Sequence, residues 1–272
     1  MNREARTREF YVLAIFFALF VVFLYGPLSA IVILSFQGPN GGLTFPLNGV
    51  SLHWFGNLFE KQAVGDFGGS FRRSMTLGIM VMAVTVLVSL LAGLAFRRRF
   101  LGATPLFYLA VASLVVPSII ISLGIGVLFQ QLGLDPAWYS SAFGAHLTWT
   151  LPFGVLIMLA VFNRFSPAYE EAARDLGASS WQTFAHVVLP MIAPSLIGVG
   201  LFGFTLSYDE FARTLMTAGT FNTLPLEIYG MTTNVTTPVL YALGTVTTVF
   251  SLAVIGGALG AIAMLNRSRA RG

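Results

Sequence analysis

Two adjacent carboxylates, Asp209 and Glu210, directly follow an aromatic residue, Tyr208, at the end of an apolar run. Carboxylates at or near membrane depth face a water-filled path or a cation, because exposure to lipid is costly. Two neighbouring acids would stabilise a di- or polyammonium ion, and aromatic faces such as Tyr208 and Tyr229 would add attraction for it. Counting from Pro190 at about 1.5 Å per residue places Asp209 about 28 Å along its helix, at the far mouth of a span. The competing chemistry is local. Arg213, three or four positions on, would neutralise the acids at the start of a solvated loop.

The remaining polar residues point away from catalysis. His146 and Trp149 fall within an apolar run, where packing or interfacial anchoring accounts for them. His186 has no second ligand at metal spacing, and His53 stands alone, so no metal site is expected. With no Cys in the chain, a disulfide, a thiolate metal site and a cysteine nucleophile are excluded. There is no Gly-Lys-Ser/Thr phosphate loop, and Lys61 is the only lysine, so ATP hydrolysis by this chain is not expected.

The elements that must position these residues are membrane spans. Of 272 residues, 56% are hydrophobic and only 10% charged, with a mean hydropathy of +0.80. A water-soluble domain carries about a quarter of its residues as Asp, Glu, Lys or Arg, so a soluble globular fold is excluded. Six apolar runs read as spans: Phe10–Phe36, Met75–Phe96, Pro105–Phe129, Ala142–Phe162, Met191–Ser207, extending toward Phe211, and Val239–Leu265. Each is long enough to cross about 30 Å of hydrocarbon, and none shows the short alternating segments of a β-barrel. The predicted fold is an all-α integral membrane protein with six transmembrane helices in one membrane domain over residues 1–272. Gly198, Gly203, Gly256 and Gly260 are expected to let helices approach closely. Pro117 and Pro194 are candidate kinks.

Arginine sets the orientation. With a cytoplasmic N-terminus, eleven arginines lie inside (3, 6, 8, 97, 98, 99, 164, 174, 267, 269 and 271) against Lys61, Arg72, Arg73 and Arg213 outside. That bias puts both termini in the cytoplasm and makes Arg97–Arg99 a topology determinant. It also assigns the basic pI of 9.7 to membrane orientation rather than nucleic acid. The first run exceeds a secretory h-region and lacks a prompt cleavage site, so it reads as an uncleaved span.

One connection is too elaborate for a mere link. In residues 164–189, Ser166 and Pro167 form a helix start, and Glu170 and Glu171 sit in the early turns where the helix dipole favours anions. Gly177 ends that helix. Ser179 with Gln182 makes a capping box for a second short helix up to Pro190. Ala172 and Ala173 leave a flat face that a partner could approach closely.

Glu171-Ala172-Ala173, three residues, Gly177, nine residues, then Val187-Val188-Leu189-Pro190 resembles the conserved cytoplasmic loop of ATP-binding-cassette importer permeases. The departure is Val187 where that pattern has Ile. The resemblance implies the six-span fold of type I importer permeases. It further implies that Glu171, Ala172, Ala173 and Gly177 dock on an ATPase subunit through a coupling helix.

Ser207-Tyr208-Asp209-Glu210, Thr223-Leu224-Pro225-Leu226-Glu227-Ile228-Tyr229 and Pro238-Val239-Leu240-Tyr241-Ala242-Leu243-Gly244-Thr245 resemble the second permease of spermidine/putrescine importers. Glu210, Tyr241 and Gly244 stand where such permeases have Asp, Asn and Ala. This second resemblance implies a subunit in a bacterial inner membrane, surrounded by lipid and paired with a second, homologous permease. An ATPase dimer would hold ATP and Mg, with no cofactor on this chain, and a periplasmic substrate-binding protein would deliver cargo. Other cargoes in this class are an opine, an amino-acid-like solute or ferric iron. An ion-coupled secondary transporter is the rival from another class; it would carry ionisable residues or broken helices near the midplane, and spans one to four and six lack such charges.

Overall fold

The computed structural model describes residues 7–58, 60, 65–98, 100–234 and 237–269. Arg3, Arg6, Lys61, Arg99 and Arg271, on which part of the orientation argument rests, lie outside the described residues. The helices in chain order are α1 (Arg8–Leu34), α2 (His53–Asn57), α3 (Phe67–Phe96), α4 (Ala103–Val115), α5 (Ser118–Gln131), α6 (Ser141–Arg164), α7 (Ala168–Asp175), α8 (Ser180–Tyr208), α9 (Leu224–Asn234) and α10 (Val239–Arg269). Five of them (α1, α3, α6, α8 and α10) are long and apolar enough to cross a membrane, and α4 with α5 forms a sixth candidate bent by 104°.

The bend falls at Pro117, one of the two candidate kinks, and divides the span expected over Pro105–Phe129 into two separate helices. Val116 is extended at φ −70°, ψ 126° and Pro117 at φ −56°, ψ 133°. A proline pushes the residue before it out of the helical region and has no N–H to continue the ladder. Pro117 therefore breaks the helix outright, whereas Pro194 stays inside a continuous α8.

The fifth span also differs from its expected bounds. The helix begun at Ser180 does not stop at Pro190; it passes through a π-helical turn at Phe184–Val188 and runs on to Tyr208. A proline lacks one donor, and a locally widened turn lets the flanking backbone groups find other partners. At its far end the helix stops at Tyr208 rather than extending toward Phe211.

The described residues divide into two compact units, residues 1–65 with 230–250 and residues 66–229 with 251–272. In the first, the loop after α1 is organised by the buried Gln37, whose Oε1 accepts from Asn48 N at 2.6 Å and whose Nε2 donates to Gly42 O at 3.3 Å. Tyr241 donates its hydroxyl to Leu43 O at 2.6 Å, and a Cβ on Gly244 would lie 3.3 Å from Ile31. Both departures from the polyamine-permease pattern are thus accommodated by local packing.

The core of the second unit is a three-helix contact of α3, α6 and α8. The buried face of α3 carries Ser70, Ser74, Gly78, Thr85, Ser89 and Gly93, with Leu77 and Val81 among them; small residues recur at nearly every turn, the pattern that brings membrane helices close. Gly154 of α6 sits against Ser89 and Thr85, Gly203 of α8 lies beside Thr85, and Thr85 Oγ1 donates to Thr150 Oγ1 at 3.0 Å. Toward Arg164, Met158, Phe162, Val188, Ile192 and Val199 form an apolar cluster. Of the four glycines expected at close approaches, only Gly203 is at one. A Cβ on Gly198, Gly256 or Gly260 would meet nothing within 4 Å.

Candidate functional site

The candidate residues cluster near the two ends of α8. At its start stands the loop of residues 164–189. Helix α7 begins one residue later than expected, with Pro167 in the cap position and no side-chain cap bond. A proline there leaves no N–H to satisfy, and Pro167 O accepts from Glu170 N and Glu171 N. The far end closes as a Schellman motif, with Ala178 N donating to Ala173 O at 3.0 Å and Gly177 N to Arg174 O at 2.8 Å. The motif needs a left-handed residue, and Gly177 supplies it at φ +85°. The capping box follows: Ser179 N donates to Gln182 Oε1 at 2.8 Å, and Gln182 N donates to Ser179 Oγ at 3.3 Å.

The two adjacent glutamates of α7 serve different partners. Glu170 receives both arms of the Arg97 guanidinium, Nη1 at 2.9 Å from Oε1 and Nη2 on Oε2. Arg97 also lies over the rings of Phe162 and Phe165, 5.2 and 5.4 Å from their centroids. Glu171, about 100° around the helix, is exposed and makes no side-chain hydrogen bond or ion pair among the described residues. Ala172 and Gly177 are exposed with it, and Ala173 is half-buried. Beside them Leu176 is 90% and Trp181 71% exposed, an apolar surface that the chain itself leaves uncovered.

The hydrogen bond from Arg97 holds the Glu170 carboxyl below the usual carboxylate range, and the nearby charges of Arg97, Arg174 and Arg98 add to it. A group whose pKa is lowered by folding stabilises the fold above its unfolded pKa and loses that contribution as pH falls through its folded value. Acidification below the ordinary carboxylate range is therefore expected to loosen α7 from the end of α3. Arg97→Ala should do the same at neutral pH, with backbone hydrogen exchange over residues 168–176 about three- to tenfold faster than in the wild type. Equal exchange in the two proteins would mean that the pair does not hold the loop.

At the other end of α8 the four residues singled out by the sequence fall into two groups. Tyr208 is buried, stacked on Phe204 at 5.7 Å between centroids and edge-on to Phe71 at 6.3 Å. Glu210 is buried as well, and its Oε1 accepts from Arg213 N at 2.8 Å. Asp209 is exposed just after the helix, and Tyr229 is exposed with its ring 5.0 Å from that of Phe211.

Arg213 does not pair with the acids through its side chain among the described residues. Arg213 is 1% exposed, and its guanidinium lies 4.8 Å from the centroid of the Trp149 ring. His146 is fully buried between Ser207 Oγ at 2.8 Å and Thr214 Oγ1 at 2.9 Å. A polar brace that sequence reasoning missed completes this end. Asn222 Nδ2 donates to Glu227 Oε2 at 2.9 Å, Asp66 N donates to Glu227 Oε1 at 2.8 Å, and Arg73 pairs with Asp66 at 3.3 Å. Glu227 and Asp66 stand 161 positions apart in the chain, so no local spacing announces them.

Together, the bundle and its exposed, doubly capped loop define an all-helical, multi-span membrane protein built to present one polar knob outside its spans. The chain belongs to the binding-protein-dependent transport system inner membrane component family, which it matches over residues 85–265. It is similar to the spermidine/putrescine transport system permease protein PotC of Escherichia coli (strain K12), with 27% identity over 235 residues, 86% of this chain and 87% of the relative. The PotC protein of Haemophilus influenzae is 28% identical over 241 residues, 87% of this chain and 91% of the relative. The putrescine transport system permease protein PotI of E. coli (strain K12) is 28% identical over 231 residues, 82% of this chain and 80% of the relative. Among solved structures, a bacterial ABC transporter involved in the import of the acidic polysaccharide alginate shares the fold. Its TM-score is 0.68 at 16% identity, covering 96% of this chain and 99% of that one. The MetNI methionine ABC transporter in inward-facing conformations gives a TM-score of 0.58 at 14% identity, covering 76% of this chain and 97% of that one. The chain is a transport-system membrane component with the ABC importer permease fold.

Proposed function

We propose that this chain is one of two homologous permease subunits of an ATP-driven importer in a bacterial inner membrane, and that its cargo is a polyamine of the spermidine or putrescine kind. The observation that carries the coupling part is the exposed face of Glu171, Ala172, Leu176 and Trp181, which fits a groove on a separate ATPase. That partner binds ATP and Mg, and this chain holds no cofactor. Closure of the ATPase dimer draws the coupling loops together and switches the path between inward- and outward-facing states, as differential contacts in two states require. Both termini lie on the ATPase side, and a periplasmic binding protein delivers cargo at the Asp209 end.

The cargo reading is supported by the names its relatives carry and by chemistry at the far end of α8. Asp209 offers a carboxylate to an ammonium group, with the exposed Tyr229 ring available for a cation–π contact. Glu210, drawn inward, adds negative potential behind it, and Tyr208 supports the pair by packing. ATP hydrolysis by the reconstituted transporter with its binding protein is expected to rise on adding spermidine or putrescine. Hydrolysis indifferent to both polyamines would overturn the cargo. Asp209→Asn combined with Glu210→Gln is expected to raise the apparent KM for polyamine uptake about tenfold, the scale of losing a charge-assisted contact. Unchanged uptake kinetics would assign the acids to the local architecture instead.

A further inference from the structure

A cleft of about 840 Å³ opens where the ends of α3 and α6 meet the loop, and the coupling role does not use it. Its lining combines Leu94, Phe162 and Phe184 with three arginines, Arg97, Arg98 and Arg174. Arg97 is neutralised by Glu170, the only acid in that lining. Arg98 and Arg174 make no ion pair among the described residues, so two cationic charges are left over an apolar wall. Helix α3 ends at Phe96 and α6 at Arg164, so the cleft sits at the ends of two of the helices long and apolar enough to cross a membrane.

We infer that this cleft binds the phosphodiester headgroup of an anionic phospholipid, with Arg98 and Arg174 on the phosphate and the half-buried Leu94 and Phe184 side chains against the start of an acyl chain. Guanidinium groups suit phosphate because their donors form a planar fork, and basic pockets at the ends of spans attract anionic headgroups. A free phosphate would satisfy the arginines yet leave the exposed parts of Leu94 and Phe184 wet; an amphiphile covers both. Because the loop supplies Arg174 and the end of α3 supplies Arg98, the bound headgroup bridges the two elements that Arg97 and Glu170 already join. The site depends neither on the cargo nor on a docked ATPase.

The test uses the full chain in nanodiscs and reads backbone hydrogen exchange over residues 93–98 and 168–176. Exchanging part of the phosphatidylcholine for phosphatidylglycerol is expected to slow exchange about tenfold in both segments, the scale of two arginines on one anion. Arg98→Gln with Arg174→Gln should abolish that protection, and Arg98→Lys with Arg174→Lys should keep most of it, which separates lost charge from lost fold. Inorganic phosphate in pure phosphatidylcholine discs is expected to give little protection. The lipid assignment is overturned if phosphate protects as well as phosphatidylglycerol does. The cleft itself is overturned if phosphatidylglycerol gives no protection, or the same protection in the Gln variant.

Discussion

Glu171→Arg is expected to abolish ATP-driven uptake, a loss of about a hundredfold or more, while the chain inserts and folds normally. The expectation rests on the division of labour in α7. Glu170 is consumed internally by Arg97, whereas Glu171 points its charge at solvent and is free for a partner. Reversing a charge in a docking contact places like charges together at a cost of several kcal/mol, and each 1.4 kcal/mol is about tenfold in affinity. Within the chain the change costs little: Glu171 is exposed with no partner among the described residues, and a cation in the first turn of α7 forfeits only about 0.3–1 kcal/mol of helix-dipole stabilisation. The measurement is uptake by reconstituted vesicles, alongside co-purification of the ATPase and thermal stability of the permease. Uptake persisting at the wild-type rate would place the docking contact elsewhere. Glu170→Gln is the informative companion, because it should loosen α7 without reversing the exposed charge.

Gly154→Leu is expected to destabilise the folded bundle strongly. At this position α6 crosses α3 so closely that a Cβ would overlap Ser89 Oγ and come within 3.0 Å of Thr85 Cγ2. Ser89 and Thr85 are themselves buried, so neither can turn away into free space. Forcing methylenes into a packed core costs about 1–3 kcal/mol and more where backbone must shift. Here it would also pull apart the Thr85–Thr150 hydrogen bond. Gly260→Leu serves as the control, since the space around Gly260 is open within the chain. Thermal unfolding in detergent should fall by about 5–10 °C or more for Gly154→Leu and stay near wild type for Gly260→Leu. Equal midpoints for the two variants would show that the contact at Gly154 is not what holds α3 and α6 together.

Hydropathy made the spans legible, because about twenty apolar residues in a row have few other uses. Pro117 marked a candidate kink, but hydropathy could not reveal that the chain breaks there by 104°. Periodicity and length are the same for a straight span and for two half-spans joined by extended residues, so the distinction lies in the backbone angles of two residues. For the same reason a broken helix does not by itself mark an ion-coupled carrier, since this one occurs in a chain of the binding-protein-dependent family. The loop read more closely, because caps are local: Ser179 with Gln182 and the Gly177 stop are each settled within a few residues. What stayed hidden was long-range pairing. The Arg97–Arg99 run reads as a topology signal whether or not one member grips Glu170, and Arg213 reads as a neutraliser of Glu210 without revealing that its backbone N–H meets that carboxylate while its guanidinium lies over Trp149. Four small residues counted by spacing named one true close approach, Gly203, because spacing identifies a face of a helix without saying what covers it.

The π-helical turn before Pro190 gives the longest reach of any feature here. Because the chain does not break at that proline, Ser180 and Tyr208 belong to one rod of 29 residues, roughly 42 Å from end to end at 1.5 Å per step. In the coupling role proposed above, an axial shove or a tilt delivered at the knob would travel along this helix toward Asp209, as along a connecting rod in an engine. The widened turn sits nearest the driven end, where one extra residue per turn leaves slack for the knob to swivel without twisting the shaft.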